Sequence, residues 1–253
     1  MNGKINVLGI EIDNYTAKET MKKSIEYLTT EPVNMIEVAT VDVLMDTNTE
    51  LMLKEQMKDF DLVLAGDRTV LEAAEVSERK RLQETDDRLY LQMFFRYLHK
   101  NHKRIYLLVE SEEEGRRVYE YLEHRYGGIQ VCGMAKVSAQ DRADDMLVNA
   151  INGAEVDCVL SLLSSPLRED FAVKNKNLFN VRLFLCLGKT MIPEGKRRFG
   201  SRKISQFLTK ALFKKRDRKA KDKKIIRNIF WLLCTDSKNA FYSQKSEEIN
   251  KKL

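Results

Sequence analysis

The feature that most narrows what this chain can fold into is an alternation. From residue 35 onward, short apolar runs at 35–38, 60–65, 105–109, 129–132, 158–163 and 181–187 are separated by stretches read as helices. Those stretches cover 41–58, 68–77, 88–101, 112–126, 139–151 and 166–177. Strands alternating with helices of about 10–15 residues predict βαβ units and a mainly parallel sheet, an α/β fold. Within 88–101, Leu91, Phe94, Phe95 and Leu98 form one apolar stripe for burial. Ahead of the alternation, 4–8 and 10–14 read as two short strands around Gly9. Thr16 and Glu19 make a capping box for a helix over 17–29, which Pro32 stops. Residues 78–87 read as a polar loop, and Gly127-Gly128 as a helix stop.

With 253 residues, 43% of them hydrophobic and 32% charged, the chain has enough material for one substantial core and an appendage. No apolar stretch reaches the length needed to cross a bilayer, and no basic-then-apolar leader is present, so the reducing cytoplasm is the expected compartment. The four cysteines form no CxxC pair, and three lie in apolar runs, which argues for core packing over a metal site or disulfides. Charge is distributed unevenly. Residues 189–227 hold sixteen Lys and Arg against three Asp and Glu, while the remainder holds 28 against 35. A basic C-terminal segment on a mildly acidic body calls for an anionic partner: a membrane surface, a phosphorylated ligand or a nucleic acid. In that segment Ile204, Phe207, Leu208, Ala211 and Leu212 share a helical face. The run 225–234, with Trp231, is too short to span a membrane and suits its interface.

In an open parallel sheet, ligands bind beyond the carboxyl ends of the strands. Three sets of polar residues fall there: Thr40 with Asp42, Asp67 with Arg68, and Ser164-Ser165-Pro166-Leu167-Arg168-Glu169. Pro166 suits a first helical position, whose helix would offer free N–H groups to an anion, and Arg168 could add a fork for phosphate oxygens. The alternative is that Asp42 and Asp67 only cap the helices that follow them.

Over roughly residues 5–218, the order and spacing of these elements resemble the WecG/TagA/CpsF glycosyltransferases of bacterial cell-surface polysaccharide synthesis. The family's T-x-N strand end corresponds to Thr40-Val41-Asp42, with Asp for Asn. Its apolar-x-D-G corresponds to Gly66-Asp67-Arg68, with Arg for the glycine. Its G-x-P-K-Q-E corresponds to Ser164-Ser165-Pro166-Leu167-Arg168-Glu169, keeping Pro and Glu. A Gly-ended strand at Gly188 precedes the basic stretch 195–200, but the family's R-A-P is absent, and Val109-Glu110 stands where members have a Gly-Gly turn.

The resemblance implies a Rossmann-like sugar-nucleotide-binding domain over 1–190 and a basic, helical, membrane-associating appendage over 191–253. It implies transfer of an N-acetylhexosamine such as N-acetylmannosamine from a UDP donor to a polyprenyl-diphosphate-linked sugar. The anomeric centre would invert without a metal or other cofactor, at the inner face of the cell membrane, in polysaccharide or teichoic acid synthesis. Asp67 would be the general base, and Thr40 and Asp42 would hold the donor sugar or that base. Arg68 would stand at the pocket mouth, the helix opened by Pro166 would cradle the nucleotide, and Glu169 would meet a hydroxyl. Lys196, Arg197, Arg198, Arg202, Lys214, Lys215, Arg216 and Arg218 would neutralise diphosphate and dock on anionic lipid. The alternative is a catalytically inactive homologue serving as a membrane-associated partner of a glycosyltransferase complex. Nucleic acid is the weaker partner, because the body is acidic and the tail has few aromatics spaced for base stacking. A homo-oligomer is compatible with the sequence but not specified by it.

Overall fold

The computed structural model describes residues 3–140, 143–188 and 192, except for the side chains of Asn48 and Thr49. Strands β1 (Lys4–Val7) and β2 (Ile10–Asp13) form an antiparallel hairpin. Its two turn residues, Leu8 and Gly9, both have positive φ, as a tight two-residue hairpin turn requires. Helix α1 (Ala17–Tyr27) follows, and its capping box is formed in both directions between Thr16 and Glu19.

Among the described residues, six strands then make one sheet in the order β4 (Leu62–Ala65), β3 (Asn34–Ala39), β8 (Leu183–Cys186), β7 (Cys158–Ser161), β5 (Arg104–Val109), β6 (Gln130–Lys136). Every neighbouring pair is parallel. The sheet is therefore wholly parallel, and all six strands point their carboxyl ends toward the same edge. The connection out of β3 leads toward one side of the sheet and that out of β5 toward the other, which opens a crevice at that edge.

Two apolar layers cover the sheet. Helices α2 (Val41–Thr49), α3 (Leu51–Gln56), α8 (Asp144–Gly153) and α9 (Leu167–Asn175) lie on one face, where Val43, Leu44, Ile151 and Phe171 pack against Met35, Val159 and Phe184. Helices α1, α6 (Leu89–Lys100) and α7 (Glu112–Tyr126) lie on the other, where Phe94, Leu98 and Leu122 pack against Ile36, Leu107 and Leu160. The predicted stripe on α6 is buried in full, each large side chain contributing about 1.5–3 kcal/mol of transfer free energy. Asp13 at the end of β2 accepts a hydrogen bond from Val63 N at 2.9 Å, which occupies part of the open edge of β4.

The structure corrects the sequence reading in four places. Residues 78–87 are not a loop: α5 (Arg79–Asp86) follows the short α4 (Arg68–Ala73). Only Arg81 and Leu82 of α5 are buried, so its sequence carries almost no apolar periodicity. The helix predicted over 41–58 breaks at Glu50, whose backbone is extended (φ −116°, ψ 105°). Thr47 Oγ1 donates to Leu44 O at 2.9 Å just before the break, a bond that bends helices. Strand β6 continues to Lys136, and α8 begins at Asp144 rather than at residue 139.

Candidate functional site

The loops leaving β3 and β4 lie side by side at the carboxyl edge. Gly66 N donates to Ala39 O at 2.8 Å. A Cβ on Gly66 would sit 3.1 Å from both Ala39 O and Thr40 Cγ2, so glycine is what permits this approach. The crossing brings Asp67 to the start of α2, where its Oδ2 accepts from Val41 N at 3.2 Å. Thr40 and Asp67 occupy the N-cap positions of α2 and α4, yet neither side chain caps its own helix. Asp67 instead serves the helix of the neighbouring strand. Thr40 is buried, and Asp42 is exposed in the first turn of α2, where a carboxylate complements the helix dipole.

Arg68 turns away from this point. Its Nε lies 2.8 Å from Glu72 Oε1 and its Nη1 3.3 Å from Asp86 Oδ2, tying α4 to α5. Beside Gly66 a small recess of about 50 Å³ is lined by Tyr15, Arg81, Thr85, Arg88 and Tyr90. Arg81 donates to Asn14 Oδ1 at 3.3 Å and faces Glu84 at 3.6 Å, while its buried Nε has no hydrogen-bond partner among the described residues. Burial pushes its guanidinium below the ordinary arginine value, against the pull of Glu84. Nothing in the sequence marked Arg81, because it lies in the stretch read as a loop.

A second, larger cleft of about 550 Å³ opens at the ends of β5, β6 and β7, lined by Glu110, Lys136, Ser138, Ser164, Ser165 and Pro166. The peptide bond before Pro166 is cis, and Pro166 stands at the N-cap position of α9, one residue earlier than predicted. Asp67 and this cleft share the edge. They are three strand steps apart, about 14 Å at the usual spacing, with β3 and β8 between them.

Two predicted ligand contacts are placed elsewhere. Arg168 does not present a fork to the cleft: it is 2% exposed. Its Nη2 meets Glu37 Oε1 at 2.5 Å, its Nε meets Glu37 Oε2 at 3.3 Å, and its Nη1 donates to Leu163 O at 3.3 Å. Glu169 is fully buried rather than open to a substrate hydroxyl. Arg168 Nε also lies 3.1 Å from Glu169 Oε1, but that N–H is spent on Glu37, and neither Glu169 oxygen has a hydrogen-bond partner among the described residues. Burial, then the Glu37 charge, pushes the Glu169 carboxyl up to about 8. Burial also raises Glu37, opposed by Arg168, and the two guanidinium bonds favour its charged form. Arg168 directs two bonds at Glu37 and none at Glu169, which favours the negative charge on Glu37 over Glu169. Below them, Glu37, Cys186 and Ser161 are register partners across β3, β8 and β7, a polar row inside the sheet's apolar face. The eight basic residues from Lys196 to Arg218 assigned to diphosphate and membrane lie outside the described residues.

An open parallel sheet covered on both faces, with polar loops gathered at its carboxyl edge, defines a Rossmann-like α/β protein with a ligand crevice. The chain belongs to the glycosyl transferase WecG/TagA/CpsF family, whose model matches residues 5–192. No curated protein matches it. Membership of this family indicates glycosyltransferase activity. Among the described residues, no helix is long and apolar enough to cross a membrane.

Proposed function

We propose that the protein is an inverting glycosyltransferase of cell-surface polysaccharide or teichoic acid synthesis. It moves an N-acetylhexosamine from a UDP donor to a polyprenyl-diphosphate-linked sugar at the inner face of the membrane. One observation carries this reading: the Asp67 carboxylate is held at the carboxyl end of β4 by Val41 N–H, beside Thr40, on the edge where α9 also begins. In the reaction, the acceptor hydroxyl gives its proton to Asp67 as its oxygen attacks the anomeric carbon. The bond from that carbon to the UDP oxygen breaks on the opposite side, so one displacement inverts the centre. The leaving diphosphate needs positive charge. Arg168 is engaged with Glu37, so the start of α9 and Lys136 at the cleft are the groups that supply it. The buried Arg81 beside Gly66 supplies a cation on the acceptor side.

The test is transfer from UDP-N-acetylmannosamine to a short-chain polyprenyl-diphosphate-N-acetylglucosamine by wild-type and Asp67→Asn proteins. Loss of a general base lowers the rate by about 10²–10⁴-fold. An Asp67→Asn rate equal to wild type removes Asp67 from the chemistry.

A further inference from the structure

Glu110 stands at the exit of β5, where the family resemblance leads one to expect glycine. Its Oε1 accepts from both Ser164 N and Ser164 Oγ, each at 2.5 Å. Ser164 lies in the loop between β7 and α9 and lines the cleft, so these are donors that loop offers there. Paired N–H and O–H donors converging on one oxygen are what a phosphate oxygen would use. Here a carboxylate of the chain's own already uses them. The backbone of Glu110 is pinned, since its N–H donates to Glu114 Oε2 at 3.0 Å in the first turn of α7. Glu114 is itself held there, and Ser111 Oγ accepts from Glu114 N at 3.1 Å. Only the side chain can withdraw. Among the described residues, Lys136 at the end of β6 is the cation that lines the same cleft.

We infer that Glu110 occupies the anion position of the β5–β7 cleft and sets its selectivity against diphosphates: a nucleoside diphosphate must displace this carboxylate from Ser164 and lie beside its charge. The inference rests on the reading of this cleft as the donor site. It separates the uncharged part of a donor, which Glu110 does not oppose, from the diphosphate, which it does. A carboxylate in this place restrains binding of the leaving UDP as well as of the intact donor.

The experiment is isothermal titration of the full chain with UDP and, in parallel, with uridine, for wild type and Glu110→Gln. Glutamine keeps the shape and an acceptor oxygen for Ser164 and removes only the charge. The expected result is UDP affinity raised about tenfold or more, with uridine affinity unchanged, since like-charge juxtaposition is what the substitution relieves. Glu110→Gly, which vacates the Ser164 donors, should tighten UDP at least as much. Equal UDP affinity in all three proteins overturns the inference and leaves the donor-site reading standing. Parallel weakening of UDP and uridine in Glu110→Gln also overturns it, by making Glu110 an acceptor for a ribose hydroxyl. No binding of UDP to any of the three overturns the donor-site reading itself.

Discussion

Replacing Arg168 with methionine is the sharpest test of the buried charges beneath the crevice. The guanidinium is 2% exposed and its partner Glu37 is fully buried, so solvent cannot take over either charge. Removing it leaves Glu37 buried without a counter-ion, which costs about 3–5 kcal/mol. For a domain of this size each kcal/mol moves Tm by about 2–4 °C, so Arg168→Met should melt roughly 6–20 °C lower. The opposite single variant, Glu37→Met, should cost less, because Glu169 lies 3.1 Å from Arg168 Nε and can ionise to replace Glu37. In the double variant no buried charge is orphaned, and stability should return to within about 1–2 kcal/mol of wild type. Urea denaturation of all four proteins gives the coupling energy directly, expected to exceed about 2 kcal/mol. The deficit of Arg168→Met should also shrink as pH falls, since the unpartnered Glu37 then takes up a proton and sheds its charge. A deficit below about 1 kcal/mol, or a double variant whose loss equals the sum of the singles, refutes the claim that the pair is a structural unit. The double variant should still bind UDP; loss of UDP binding in a folded double variant would return Arg168 to the ligand site.

Two further predictions concern the same edge. Glu169 binds its proton more tightly in the folded state than in the unfolded one, so between its ordinary value of 4.5 and about 8 the unfolded chain holds fewer protons and stability falls as pH rises. The slope approaches at most about 1.4 kcal/mol per pH unit, and Glu169→Gln should flatten it in denaturation series from pH 5 to 8; an unchanged slope would show that Glu169 does not hold the proton. Gly66→Ala places a Cβ 3.1 Å from Ala39 O and Thr40 Cγ2, which should cost about 1–3 kcal/mol and lower transfer activity beyond the loss of folded protein, because the crossing that seats Asp67 is pushed apart; full activity in a folded Gly66→Ala protein contradicts that role.

The parallel α/β fold was legible because its signal is local. A strand covered on both faces must be apolar almost throughout, and a surface helix must repeat its apolar residues every three to four positions, so β3, β7, α6 and α7 can each be read from its own residues. The capping box of α1 is equally local. Helix α5 was not legible, since it buries only Arg81 and Leu82 and offers no apolar period, and Arg81 at the recess was lost with it.

The edge on which Thr40, Asp67 and Pro166 lie follows from sequence alone, because alternating strands and helices imply parallel strands, and strands that run in one direction all end at the same edge. Where each side chain points does not follow. Arg168 reads in sequence as a solvent-facing cation at a helix start, and nothing in its neighbourhood reveals Glu37, 131 positions away in the chain. Glu110 reads as one more acidic residue before an acidic helix turn, yet it closes on Ser164, 54 positions later. Both partnerships arise from strand order, which places β3, β8, β7 and β5 side by side in a sequence no local pattern encodes. Local periodicity decides which residues form strands and helices, while the pairing of distant strands decides which charges meet, and only the folded sheet contains that information.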